Sequence, residues 1–261
     1  MGRIITVGGP KGGAGKSTTH FHMSVEFMRR GYDVATLDLD TKLNTYFLFQ
    51  RRYEMDHYLR HGSMPEAPLE GFGEVLLTNE DIEILPAATK KKIQSGIPLP
   101  VKSSYMSGDL DTLSSVVEDL RSNSEILIID TGGGDVRFNR RAISYSDMFV
   151  VPVLPSVLDM DTLADAASLV GDVKANNKDL IVKSLINQKP THSNDFRAMA
   201  LKRIIKEFPS LSDAFKTSLD FYYAYRDSLS YGLGVCEWTH SKAGAQISNV
   251  VEEIITEFTN D

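Results

Sequence analysis

Residues 8–18 read Gly8-Gly9-Pro10-Lys11-Gly12-Gly13-Ala14-Gly15-Lys16-Ser17-Thr18, and no other stretch restricts the fold of the chain so tightly. The run before it, 3–9, is apolar and reads as a buried strand; the run after it, 15–30, has helical spacing and is closed by Gly31. Glycines let backbone amides turn inward and approach an anion, and the helix N-terminus adds its positive end. In such a loop the amides of Gly12, Gly13, Ala14, Gly15, Lys16, Ser17 and Thr18 would cradle the phosphates of ATP. Lys16 would bridge the β- and γ-phosphates, and the Ser17 hydroxyl would ligate Mg²⁺.

The rest of the chain continues the alternation. A second strand at 33–39 follows the first helix directly, and further strands are expected at 82–86, 125–130, 147–153 and 180–186. Helices are expected over 109–122, 134–145, 159–176, 193–207 and 242–258. Near-continuous apolar strands separated by helices imply a mainly parallel sheet covered on both faces. The expected class is therefore α/β, doubly wound, as one domain over 1–261. The irregular stretch 57–107, with Gly/Pro punctuation and the run Lys90-Lys91-Lys92, is expected to be surface elaboration.

Composition excludes several classes. With 42% hydrophobic and 24% charged residues the chain is an ordinary soluble globular type. No apolar run reaches the ~18–20 residues that cross a bilayer, and the N-terminus lacks a secretory pattern. The single cysteine, Cys236, excludes an internal disulfide framework or a four-cysteine metal site, which fits a cytoplasmic location. A net charge of −7 means that any nucleic-acid contact needs a local basic patch.

Two strand ends carry carboxylates. Asp38 and Asp40 close the second strand two residues apart, which puts both on one side, toward the crevice at the strands' C-terminal ends. The run 125–130 ends on Asp130, placed as a Walker B aspartate that would hold Mg²⁺ through water, with Gly132, Gly133 and Gly134 allowing a mobile switch.

The glycine loop departs from the strict phosphate-loop pattern at Pro10, where glycine is expected, and carries a second lysine, Lys11. In this it resembles the deviant Walker A motif of the ParA/MinD family of P-loop ATPases. The likeness covers most of the chain, including 137–155 through Asn139 and Asp147, and is weakest over 57–107. It implies that Lys11 reaches across an ATP-dependent homodimer to the partner's phosphates, that Asp38 assists the Mg²⁺ shell, and that Asp40 positions the attacking water. It also places Asn187 where the family often contacts adenine.

The segment Ala224-Tyr225-Arg226-Asp227-Ser228 through Gly232-Leu233-Gly234-Val235 resembles the C-terminal region of small plasmid-partition ATPases. The first strand begins at residue 3, which leaves no room for an N-terminal helix-turn-helix domain. The ending from Val250 to Asp261 is acidic on its polar side, unlike the basic membrane helix of MinD-type proteins. One cysteine cannot supply the shared cluster of nitrogenase-type iron proteins. Tyr222, Tyr223 and Tyr225 precede further structure and read as packing residues rather than a phosphorylated tail.

The resemblance implies a positioning ATPase that dimerises on Mg·ATP, binds DNA without sequence preference on the nucleoid, and is stimulated by a centromere-binding or adaptor protein of ParB type. Its candidate DNA contacts are Lys202, Arg203 and Lys206 on one face of the 193–207 helix, with Arg197 nearby and Lys90–Lys92 as a second patch. Two other readings stay open. One is a small-molecule ligase related to dethiobiotin synthetase, which phosphorylates a carboxylate; the other is a nucleotide-dependent scaffold with negligible turnover.

Overall fold

The computed structural model of the chain describes residues 2–10, 12–67, 74–106, 110–132, 136–156, 160–191, 196–211 and 213–260. Seven parallel strands form one sheet: β1 (Arg3–Val7), β2 (Val34–Asp38), β3 (Lys102–Tyr105), β4 (Ile126–Asp130), β5 (Met148–Val153), β6 (Ile181–Ile186) and β7 (Asp213–Ala214). Their spatial order is β3-β2-β4-β1-β5-β6-β7. Every pairing is parallel, so each connection must cross over a face of the sheet, and helices make the crossings.

The apolar strands divide their side chains between two faces. On β4, Ile126 and Ile128 point to one side and Leu127 and Ile129 to the other; on β5, Met148 and Val150 oppose Phe149 and Val151. The first face packs α1 (Lys16–Arg29), α2 (Asn44–His61), α9 (Ala224–Leu229) and α10 (Ser241–Asn260). The opposite face packs α5 (Leu110–Ser122), α6 (Val136–Ser144), α7 (Met160–Lys174) and α8 (Phe196–Ile205). Burial on both faces is why these strands read as continuous hydrophobic runs.

Helix α10 buries Ala243, Gly244, Ile247, Val250, Val251 and Ile254. Its acids are bound within the fold: Glu252 meets Arg30, Glu253 accepts from the Lys216 and Thr217 amides, and Glu257 meets Lys183. Among the described residues no helix is long and apolar enough to cross a membrane.

The stretch 57–107 differs from its expected form. The strand expected at 82–86 is instead the helix α3 (Asn79–Glu83), started by a capping box in which Thr78 and Asp81 satisfy each other's backbone amides. After α4 (Ala87–Ile93) the chain supplies the edge strand β3 beside β2. Leu77, Ile82, Leu85, Ile93 and Ile97 are buried in the same cluster as the first-face helices, so the segment closes the core. The 18-residue α2 was not expected either. It lacks a clean apolar stripe because it buries Gln50, Arg52, Glu54 and Asp56. Lys90 Nζ donates to Glu83 O and Lys92 Nζ to Trp238 O, which ties two of the three lysines into local structure.

Candidate functional site

Parallel register sets the site. Asp38 on β2 and Asp130 on β4 are Cα partners, and Asp130 is also the partner of Val7 on β1, so three strands end level. The chain leaves β1 into the glycine loop and re-enters structure at α1, whose first residues are Lys16 and Ser17. Gly15 sits at φ 85° immediately before the helix, a backbone region that disfavours side chains. A Cβ on Gly15 would also stand 2.2 Å from Asn187 Nδ2, so glycine is required for space as well.

Asp130 is fully buried, and neither of its carboxylate oxygens meets hydrogen-bonding geometry with a described group. Burial, then the neighbouring Asp38 charge, pushes its pKa up to about 8, while the nearby Ser17 hydroxyl and Lys16 ammonium pull it down. Lys16 is held below its ordinary pKa by burial, opposed by the charges of Asp130 and Asp40. Such a carboxylate, beside a serine hydroxyl and a second acid, is a set of hard oxygen ligands suited to Mg²⁺, so the residues fit the expected ion.

Asp38 is placed differently. Its Oδ2 accepts the Thr45 and Tyr46 amides at 2.9 and 3.0 Å, at the start of α2, and its Oδ1 accepts the Asp40 amide at 2.8 Å. Burial raises its pKa and these donors oppose the rise. Asp38 therefore anchors the N-terminus of α2 to the site as well as facing it. Asp40 lies partly exposed beyond it, with Oδ1 accepting the Lys42 amide at 3.0 Å. Gly132 packs against Asp40 so closely that a Cβ would fall 3.0 Å from Asp40 Cα. Asn139 on α6 then donates from Nδ2 to Gly132 O at 2.9 Å. Sequence patterning singled out neither contact, because both depend on tertiary approach.

On the other side of the loop, Asn187 Nδ2 donates to Ala14 O at 2.8 Å and Gln188 Nε2 donates to Gly13 O at 3.1 Å. Both contacts hold carbonyls of the loop against the chain that follows β6. Asn187 Oδ1 also accepts the Gln188 amide, so its side chain is engaged with backbone. The expected adenine contact is thus first a brace of the loop, although it lines a small adjoining cleft with Gly15, Thr18, Gln188, Phe221 and Tyr222. Under the cleft, His22 bridges α1 to the C-terminal region: Nδ1 accepts the Val235 amide at 3.1 Å, and Nε2 donates to Tyr225 O at 3.0 Å. Tyr225 is buried and Tyr223 exposed.

Lys11, Gly133 and Gly134 lie outside the described residues, as does the side chain of Arg197. The basic residues expected to meet DNA are remote from the phosphate loop in sequence and lie at the end of α8. Arg203 and Lys206 are exposed, and Lys202 Nζ donates to Lys216 O at 2.9 Å.

Residues 2–192 match the sequence family described as AAA domain. An uncharacterized ATP-binding protein of Methanocaldococcus jannaschii is 27% identical over 175 residues, 64% of this chain and 60% of that protein. The chain therefore spans less than two thirds of the length of this relative. Among solved structures, the cell-division ATPase MinD of Pyrococcus furiosus superposes with a TM-score of 0.65 at 18% identity, covering 98% of this chain and 99% of that one. A plasmid partition protein from Borrelia burgdorferi gives 0.59 at 15% identity, covering 98% and 99%. The chain belongs to the AAA domain family, and its loop carries the second lysine of the deviant Walker A pattern.

Proposed function

We propose that the protein binds Mg·ATP at the ends of β1, β2 and β4, hydrolyses it as a homodimer, and uses the cycle to position or partition a cargo on DNA. The observation that carries this reading is the convergence of Lys16, Ser17, Asp38, Asp40 and Asp130 at one level of the sheet. Likeness in fold to a cell-division ATPase and to a plasmid partition protein supports the positioning role.

In this reading, amides of the loop from Gly12 to Thr18 bind the β- and γ-phosphates, and Lys16 neutralises charge that grows between them during cleavage. Ser17 and Asp130, with Asp38 beside them, would hold Mg²⁺, which would supply further charge stabilisation. Asp40 holds the attacking water; Gly132 keeps the carboxylate's approach open, and Asn139 holds Gly132 in place. Lys11 of the second subunit completes the charge balance, which makes turnover depend on assembly. The ATP-bound dimer binds duplex DNA through its phosphates, and a ParB-like adaptor accelerates hydrolysis and release.

The test is phosphate release and oligomeric state with ATP, ADP and a non-hydrolysable analogue, with and without arbitrary duplex DNA. ATP-specific dimerisation with DNA affinity, both lost in Lys11→Ala, is the expected result. A monomer that ignores DNA but releases phosphate only with a small carboxylic acid present would establish a ligase instead.

A further inference from the structure

Two helices on the same side of the sheet expose basic residues, and their surroundings differ. On α8 the exposed positions mix Arg203 with Phe196 and Met199, which are 70% and 64% exposed. Large apolar side chains beside cations suit a protein partner, whose interface needs apolar anchors. On α6 the exposed positions are Arg137, Arg140 and Arg141, while Phe138, Ala142 and Ile143 are turned into the core. Spacing of three and four residues puts the arginines on one stripe. The first turn of α6 contains no acid.

Among its described side chains the guanidinium stripe carries no apolar residue, which a protein interface or a membrane insertion requires. It has the planar donors that a phosphate backbone takes. Its existing contacts are of a kind that counter-charges can exchange: Arg140 meets Asp172 at 2.8 Å with both side chains about half exposed, and Arg141 lies over the Tyr145 ring. In a chain of net charge −7, three arginines within five residues form a local positive patch.

The same helix is tied to the nucleotide site. Asn139, buried among the arginines' inward neighbours, donates to Gly132 O, and Gly132 is packed on Asp40. A displacement of Gly132 would therefore reach α6 directly, through Asn139, whereas among the described residues no such contact joins Gly132 to α8.

We propose that the exposed arginine face of α6, and not the basic end of α8, is the surface that meets the phosphate backbone of duplex DNA, and that Asn139 is the positioning residue that makes this contact depend on the nucleotide. The proposal rests on the DNA-binding reading above and names where that binding occurs.

The experiment compares three proteins with the wild type: Arg140→Ala/Arg141→Ala, Arg203→Ala/Lys206→Ala, and Asn139→Leu. Affinity for a random-sequence duplex is measured against salt with the non-hydrolysable ATP analogue and with ADP, and analogue affinity is followed in the same samples. The α6 pair is expected to lose at least about tenfold in DNA affinity and about 2 from the salt slope, since each phosphate contact contributes about 0.9. The α8 pair should lose less than about threefold. Asn139→Leu should still bind the analogue but lose most of the difference in DNA affinity between analogue and ADP. An α6 pair that binds the analogue and binds DNA like the wild type overturns the proposal, as does a larger loss in the α8 pair. An Asn139→Leu protein with the full nucleotide response removes the positioning role. If the wild type binds no duplex in any state, the DNA reading itself falls.

Discussion

Two of the buried charge clusters among the described residues are finished differently. In the first, Arg52 of α2 is fully enclosed, and its guanidinium donates to both Glu237 oxygens at 2.9 Å, to Gly232 O at 3.1 Å and to Pro98 O at 2.8 Å. Glu237 also accepts the Gly234 amide. In the second, Asp130 is equally enclosed, yet among the described residues no donor meets hydrogen-bonding geometry with its oxygens, and burial pushes its pKa up to about 8 against the pull of the nearby Ser17 hydroxyl. The first cluster is complete without a ligand and fastens α2 to the 232–237 loop. The second is left open by the fold, and in the proposed function a cation and phosphates complete it, which is how a binding site differs from a structural ion pair.

The sharpest way to break this contrast is to neutralise one member of each cluster. Asp130→Asn is expected to lower Mg·ATP turnover by about a thousandfold, a loss of ~4 kcal/mol of transition-state stabilisation. Its urea midpoint without nucleotide at pH 7 should not fall, because the fold disfavours the charged carboxylate that the substitution removes. A lower midpoint would mean that Asp130 belongs to the structural class. Arg52→Ala should do the reverse. Leaving Glu237 buried and unpaired is expected to cost about 3–5 kcal/mol in chemical denaturation, with nucleotide affinity little changed while the protein stays folded. Replacing the pair together, as Arg52→Met/Glu237→Leu, should recover much of that stability.

The same contrast explains what was legible in the sequence. The nucleotide side is written in local signals: a glycine loop between strand and helix, and acids at the ends of apolar strands. These signals carry β1, α1, β2, β4, β5 and β6, and they set Lys16 and Ser17 at the start of α1 and Asp38, Asp40 and Asp130 at or just beyond strand ends. The α2 side is held by buried Arg52, Glu54 and Gln50, which defeat a search for apolar periodicity. Likewise Ile82 and Leu85 suggested a strand, but they are apolar because they close the core from a capped helix and the turn after it. Gln188 goes unmarked, and Gly132 is read only as part of a mobile switch, for a third reason. Each acts through one close approach, to Gly13 O and to Asp40, that sequence spacing does not encode.

Below both clusters in expected effect lies Gly132. Gly132→Ala introduces a Cβ 3.0 Å from Asp40 Cα, so the carboxylate that positions water must shift by a few tenths of an ångström. Misplacing a positioned nucleophile should lower kcat about tenfold with a smaller change in nucleotide affinity. Equal losses in both would show that the substitution disturbs phosphate binding rather than the approach to Asp40.

The smallest effect concerns the residue that joins the two regions. His22 on α1 accepts the Val235 amide and donates to Tyr225 O, so it must be neutral with its proton on Nε2. Burial lowers its pKa from 6.5 to about 4, against the pull of the Tyr225 carbonyl and the Glu237 charge. With the folded value below the unfolded one, the unfolded chain takes up the proton first as the solution is acidified. The stability held by the neutral imidazole is therefore complete above about pH 6.5 and is lost progressively toward pH 4. Between pH 7 and 5.5 the loss from this group should be about 1 kcal/mol. His20, with a pKa also lowered to about 4, adds a similar amount. A His22→Gln protein should show a shallower fall in its urea midpoint over that interval, even if it is less stable at pH 7. An unchanged pH slope would mean that His22 is already charged in the fold, which its two hydrogen bonds do not allow.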